Sequence, residues 1–488
     1  MKRLLMRIHK KTRWLLFIII TLVSWLPVSS QKVVISGNNP SYSGMEIKVS
    51  AYHDFITNST EELTSFGVDS SGNYQFTILT DQVIQINFEL EYYRGQMFIV
   101  PGNEYKIALP PRRKLSQEQK LNPYFQPKAL HIGVKEARND TIIPLHQELN
   151  HVINDFDNQF NHLYNEAIKH KVIQSLTSKA DSIMSVIDSL NSHVALPFFC
   201  EYKKYQKGIL EYNLLSIDKQ SHDIIAKYFT NHHILYNNPA YMELFHLAFK
   251  DYFHFQSNKV QNTGLISSII KEKSYHRLVQ QLQQSPDLKS DSLVEFIILK
   301  EVHDNFYNKK FPKKALINII DSLYFHTSIP EHKYVAQNIR EKVTRVMPGF
   351  SAPSFTLMDP DSNLVSLDDY KGKFVYLNFC NSMSFTCIQD FKLMKPMYEK
   401  IHQFVSFITI AVEDNFQMMV DYKKSESLPW DFLNYKTEPG VVKDYNVKVY
   451  PTYYLIDPSG NILLSPAPTP QENLEERLFN ILRRHGAI

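Results

Sequence analysis

The apolar residues of this 488-residue chain change their spacing twice, which limits it to three differently built segments in series. From Lys32 to about Leu109 the period is two. Ile84, Ile86, Phe88, Leu90 and Tyr92 alternate with mostly polar residues, as do Tyr74, Phe76 and Ile78. Side chains on one face of a half-buried strand repeat in that way. Asp69-Ser70-Ser71-Gly72 precedes one of these runs, and Pro101-Gly102-Asn103 separates residues 97–100 from 105–109, as turns between strands do. A small all-β unit, a sandwich, is expected over residues 31–115. Pro110-Pro111-Arg112-Arg113-Lys114 breaks the pattern and opens a linker.

From about residue 141 to residue 345 the period becomes that of a helix. Leu145, Leu149, Val152, Ile153, Phe156, Phe160, Leu163, Tyr164 and Ala167 recur three or four apart and draw one apolar stripe. Residues 205–215 and 241–255 look similar and are rich in aromatics. No repeat of fixed length is found, so an irregular α-helical region is expected over residues 116–345. His232-His233 falls within it. Neighbouring side chains diverge, and no acidic or histidine partner stands at ligand spacing, so a surface pair is expected and no metal site. Beyond residue 346 strand and helix alternate. Residues 374–379, 405–412 and 452–456 have the length and apolarity of buried strands, and residues 386–402 and 472–484 read as helices. Asp457-Pro458-Ser459-Gly460 turns the chain into residues 461–464. Residues 346–488 are expected to form an α/β layer domain.

The start of the chain bears on the compartment. Lys2, Arg3, Arg7, Lys10, Lys11 and Arg13 precede an apolar run over residues 14–28, and Val28-Ser29-Ser30 offers small residues for cleavage. Residues 1–30 thus have the order of a secretory signal peptide, with the cut expected after Ser30 and the remainder in the periplasm or cell envelope. No cysteine stands at the cut for lipid attachment, and no later run is long and apolar enough to span a bilayer. With 53 basic against 50 acidic residues and a formal net charge of +3, electrostatic capture of nucleic acid is not expected. Three cysteines cannot make a disulfide framework. The chain has no Gly-x-Ser-x-Gly elbow, no phosphate-binding glycine loop and no His-Glu-x-x-His helix, and no cofactor is expected.

Several motifs of the last segment occur in a familiar order. Ala352-Pro353-Ser354-Phe355-Thr356-Leu357 is followed by Leu367-Asp368-Asp369-Tyr370-Lys371-Gly372-Lys373 and then by the apolar run 375–379. Val449-Tyr450-Pro451-Thr452-Tyr453 and the Asp457 to Gly460 turn come later. Together they resemble the TlpA-like thioredoxins, envelope thiol–disulfide oxidoreductases close to the peroxiredoxin-like branch of the fold. The earlier segments resemble, more generally, the N-terminal extensions of envelope thioredoxins in Bacteroidota. The resemblance implies a thioredoxin-like fold over roughly the last 140 residues, a cis bond before Pro451, and a groove at Tyr450 and Pro451 for a protein or peptide client bearing a thiol or disulfide.

The resemblance also implies a Cys-x-x-Cys motif at a helix N-terminus. Here that motif is Ser384-Phe385-Thr386-Cys387, and Cys380 stands where a tryptophan is usual. Only the resolving position keeps its sulfur. A serine hydroxyl at a helix N-terminus is not acidified enough to attack without a base, and disulfide exchange passes electrons between sulfurs, so standard dithiol exchange at Ser384 and Cys387 is excluded. Three readings follow. Cys387 is a small buried hydrophobe in a redox-inactive client-binding module. Alternatively, Cys380 and Cys387 pair as a Cys-x6-Cys bond or couple, with Cys380 as simple packing the competing view. In the third, Ser384-Phe385-Thr386-Cys387 resembles the Ser/Thr-x-x-Cys element of peroxiredoxins, implying single-cysteine peroxidase-like chemistry at Cys387. Cys200, in an apolar setting after Pro197-Phe198-Phe199, is expected to be a buried, inert thiol.

Overall fold

The computed structural model of the chain describes residues 30–122, 125–138, 141–173, 177–214, 220–257 and 264–488. Apart from Ser30, the expected signal peptide lies outside the described residues.

The period-two segment forms strands β1 (Gln31–Asn38), β2 (Glu46–Asp54), β3 (Ser59–Gly67), β4 (Asn73–Thr80), β5 (Ile84–Leu90), β6 (Tyr93–Ile99) and β7 (Glu104–Ala108). Three more follow the Pro110-Pro111 break: β8 (Lys128–His131), β9 (Gly133–Arg138) and β10 (Thr141–Ile142). They make two five-stranded sheets, ordered β10-β9-β7-β1-β4 and β3-β2-β5-β6-β8. Val33, Ile35, Tyr74, Phe76 and Ile107 of one sheet and Ile47, Val49, Phe66, Phe88 and Met97 of the other share one core. Strand β4 alternates exposed and buried residues along its whole length, so its period-two pattern is a burial pattern. The β unit therefore runs past residue 115, where the sequence pattern ends it. Strands β8 and β10 lie at sheet edges with β9 next to β10, and all three bury few side chains and so carry little apolar alternation to read.

The middle segment is helical from Leu149–Ile173 to Pro330–Thr344. Of the stripe read from the sequence, Leu149, Val152, Ile153, Phe156, Phe160 and Ala167 are buried, Leu163 and Tyr164 pack against the same core, and Leu145 is exposed in a short turn before the helix. His232 and His233 are both exposed, and no group of three metal-ligating side chains occurs among the described residues.

In the last segment β11 (Thr356–Met358), β12 (Leu364–Ser366), β13 (Phe374–Cys380), β14 (Val405–Ala411), β15 (Asp431–Asn434), β16 (Thr452–Ile456) and β17 (Ile462–Leu464) form one sheet, ordered β12-β11-β15-β14-β13-β16-β17. Strands β13, β14 and β15 run parallel, and β16 pairs antiparallel with β13. Apolar residues bury both faces. One face packs against the helices Phe385–Ile401 and Leu474–Arg484, and the other holds Phe355, Leu377, Phe379 and Tyr445. This is the thioredoxin-like arrangement that the resemblance implies. All seven residues of β13 are buried, as a central strand covered on both faces requires.

Candidate functional site

Strand β13 delivers the chain to the site. Beyond Cys380 the backbone turns through Asn381-Ser382-Met383 into the Phe385–Ile401 helix, and Ser384 is the N-cap of that helix. The Ser384 Oγ accepts the Cys387 N–H at 3.4 Å. It thereby satisfies one of the amide groups that the first helical turn leaves without a partner. Where the motif of the resemblance has its attacking sulfur, this chain has a capping oxygen.

Cys387 lies one turn into the helix and is fully buried, and so is Cys380 at the end of β13. Both are free thiols in the same core cluster, and a hydrogen bond joins them. The two respond to this setting in opposite ways. Burial pushes the Cys380 thiol well up, and the bond to Cys387 adds to that shift. Burial also works upward on Cys387, but hydrogen bonds from Cys380, Ser384 and the Asn381 amide outweigh it, and the net shift is downward. Cys387 is thus the more acidic partner and Cys380 the proton donor.

Two buried carboxylates that the sequence reading passed over stand nearby. Asp390, one helical turn after Cys387, accepts Tyr453 Oη at 2.6 Å and Gln471 Nε2 at 2.9 Å. Glu413, just past the end of β14, accepts the Ser382 backbone N–H, and burial raises its pKa despite that bond. Both had a legible signal. Asp390 follows Cys387 by three residues, which puts the two on one helix face, and Glu413 directly follows an apolar strand.

The Tyr450–Pro451 bond is cis, and Tyr450 packs against both cores of the domain. Burial raises the Tyr450 phenol, and the nearby Tyr435 and Cys387 raise it further. The structure thus brings Ser384, Cys387, Cys380 and Tyr450 together. Large apolar side chains are exposed around them: Met383 by 65% and Phe385 by 73% on either side of Ser384, and Val449 by 55% before Tyr450. Cavities of about 640 and 770 Å³ lie between the β unit and the helices, and none of the candidate residues lines them.

Cys200 departs from expectation. It is exposed near the start of the helix Pro197–Leu214, with its Sγ 3.7 Å from the Val194 carbonyl oxygen. The neighbouring Phe199 takes the inward direction, and the next residue on a helix points elsewhere.

Residues 348–465 match the family model described as "AhpC/TSA family". Thiol-disulfide oxidoreductase ResA of Bacillus subtilis is 27% identical over 139 residues, covering 28% of this chain and 77% of its own. The thioredoxin-like protein YneN of the same organism is 28% identical over 129 residues, 26% of this chain and 75% of its own. Among solved structures, the thioredoxin domain of thiol-disulfide oxidoreductase BVU-2223 from Bacteroides vulgatus is 20% identical, covering 28% of this chain and 97% of that one, with a TM-score of 0.26.

Proposed function

Because residues 348–465 form a thioredoxin-like domain of the AhpC/TSA family, related to thiol–disulfide oxidoreductases, we propose that this domain binds a client without exchanging disulfides with it. The client is a protein or peptide bearing a thiol or disulfide, held along the Tyr450–Pro451 loop. The observation that carries the reading is the role of Ser384. An oxygen occupies the solvent-facing start of the helix, and the sulfur behind it, Cys387, has no exposed surface. A client disulfide therefore meets no thiolate. The exposed Met383, Phe385 and Val449 supply apolar contact area for an extended segment. The same reading places the protein in the periplasm or cell envelope. The mature chain would begin at Gln31, which N-terminal sequencing of envelope-fractionated protein checks. In it the two N-terminal sheets, as a sandwich over residues 31–115 with the later strands, and the helical region over 116–345 position the domain over 346–488.

The test uses the full-length mature chain and the reduced insulin B chain, which bears free thiols, as an unfolded peptide probe. Wild type should bind the peptide, Val449→Asp should bind it at least several-fold more weakly, and neither should reduce insulin above background. Robust insulin reduction by wild type, or peptide binding that ignores Val449→Asp, would count against the proposal.

A further inference from the structure

The cavity of about 640 Å³ between the β unit and the helices shares no residue with the Ser384 and Pro451 site. Its size falls within the roughly 300–1,000 Å³ typical of small-molecule sites. Phe55, Phe198, Tyr236 and Phe296 give it aromatic walls, and the last two are held from behind. Tyr236 Oη lies 2.9 Å from His332 Nε2, and His332 Nδ1 lies 2.8 Å from Glu295 Oε2. The Tyr236 and Phe296 rings meet edge to face with centroids 5.3 Å apart, and Phe296 stacks on His332. These walls are fixed by their own packing, which lowers the cost of ordering them around a ligand.

The charge of the cavity is one-sided. Asp54, Glu61, Glu201 and Glu331 line it, whereas among the described residues no lysine or arginine does, and His53 is its one histidine. Asp54 already accepts the Thr57 amide and hydroxyl and the Asn338 side chain, and Glu201 pairs with Lys204 at 3.5 Å. Glu61 and Glu331 add negative charge with no lysine or arginine opposite them on the cavity wall. Asn238 is a second and independent sign of a ligand. It lines the same cavity and is only 3% exposed. Its Oδ1 caps the helix Pro239–Ala248 by accepting the Tyr241 N–H at 3.1 Å, while its buried Nδ2 has no partner. A buried donor without an acceptor is costly, so a ligand oxygen that completes it is favoured.

We propose that this cavity binds a small organic ammonium ion that carries an apolar body and a neutral oxygen. The carboxylates draw the ammonium, the aromatic walls take the body, and the oxygen accepts from Asn238 Nδ2. Carboxylates and aromatic faces attract a cation together, and the attraction grows as the cation leaves water. An organic anion would instead meet like charge on every side of the cavity. A plain hydrocarbon would fill the apolar walls but leave the Asn238 donor unmade. The site is separate from client binding at the Tyr450–Pro451 loop and does not depend on it.

The experiment titrates the full-length mature chain by calorimetry with L-phenylalaninol, a probe that carries a ring, an ammonium and a hydroxyl. Hydrocinnamyl alcohol serves as the probe without the ammonium, and phenethylamine as the probe without the hydroxyl. Phenylalaninol should bind saturably, and hydrocinnamyl alcohol should bind at least about tenfold more weakly. Glu201→Gln and Glu331→Gln should each weaken phenylalaninol several-fold and leave hydrocinnamyl alcohol unchanged. Asn238→Ser keeps an N-cap oxygen for the Tyr241 amide and removes the free donor. It should weaken phenylalaninol several-fold and leave phenethylamine unchanged. The proposal is overturned if phenylalaninol does not bind, if hydrocinnamyl alcohol binds as tightly, or if phenylalaninol binding ignores all three substitutions. The comparison of probes on wild type needs no substitution, so misfolding of a variant does not shield the proposal.

Discussion

The proposed loss of dithiol exchange rests on a single atom, the Oγ of Ser384. As N-cap, Ser384 presents its oxygen where a sulfur would feel the positive end of the helix. Ser384→Cys therefore places a thiol at the position best suited to form a thiolate, with Cys387 three residues on to resolve a mixed disulfide. We expect this variant to reduce insulin measurably, where wild type and Ser384→Cys/Cys387→Ala do not complete turnover. A folded Ser384→Cys protein that neither exchanges thiols nor forms an internal disulfide would show that residue 384 does not occupy the attacking position. The Ser-x-x-Cys spacing is read directly from the sequence, and the structure places Ser384 at the N-cap and Cys387 in the first turn of one helix. What spacing did not reveal was the contact between Cys380 and Cys387, which depends on how the strand end and helix start are packed.

Among the elements, the helix pair that opens the middle segment holds the most informative charge. Asp157 on the helix Leu149–Ile173 accepts Tyr202 Oη at 3.0 and 2.9 Å from the helix Pro197–Leu214. Burial pushes its carboxyl up to about 6; the Tyr202 bond works against that shift and repulsion from Glu243 adds to it. The folded-state pKa thus lies above the unfolded value of about 3.9. Between the two values the folded protein binds more protons than the unfolded chain, so this group lowers stability as pH rises through that window. Measured against Asp157→Asn, wild type should lose relative stability from about pH 4 to about pH 6 and then level off. Losing the carboxylate–hydroxyl bond shifts the comparison by a constant, so the slope is the readout. Denaturation midpoints of the two proteins that stay parallel across this window would refute the assignment. Apolar periodicity announced the first of these helices clearly, since the stripe from Leu149 to Ala167 is its buried face. Strands β8 to β10 were not announced, because a strand with little buried surface has no reason to alternate.

At the scale of the whole molecule, the β unit and the helices are joined as one body of packing. Ile56 and Phe98 of the β unit belong to the helical core, and Phe98 meets Phe198 with ring centroids 5.3 Å apart. Asn150 brackets the same residue: its Oδ1 accepts the Phe98 N–H at 2.6 Å and its Nδ2 donates to the Phe98 carbonyl at 2.9 Å. Asn338 donates to Asp54 at 2.7 Å and Lys342 to the Thr57 carbonyl at 2.6 Å across the same junction. The thioredoxin-like domain meets the rest through Met347 and Phe350, partly buried against the helical core, and through ion pairs such as Lys120–Asp414 at 3.2 Å and Arg345–Asp444 at 3.5 Å, half-exposed pairs that contribute little. Phe98→Ala should therefore destabilise the β unit and helices together by about 3–5 kcal/mol. The transition of the C-terminal domain should stay where it was. Urea denaturation followed by near-ultraviolet and domain-specific probes checks this, and a shift of all transitions by the same amount would contradict it.

What the sequence determined by itself was whatever local spacing encodes. The three periods of its apolar residues named the three kinds of segment, and the serine at position 384 underlies the proposal that ordinary dithiol exchange is lost, because periodicity and bonding capacity belong to the chain before it folds. Tertiary structure decided which groups meet. It turned Cys200 outward and Cys380 against Cys387, extended the β unit beyond its proline break, and fused that unit to the helices through Phe98. Those outcomes depend on which surfaces close over one another, and burial between segments distant in sequence leaves no periodic trace in either of them.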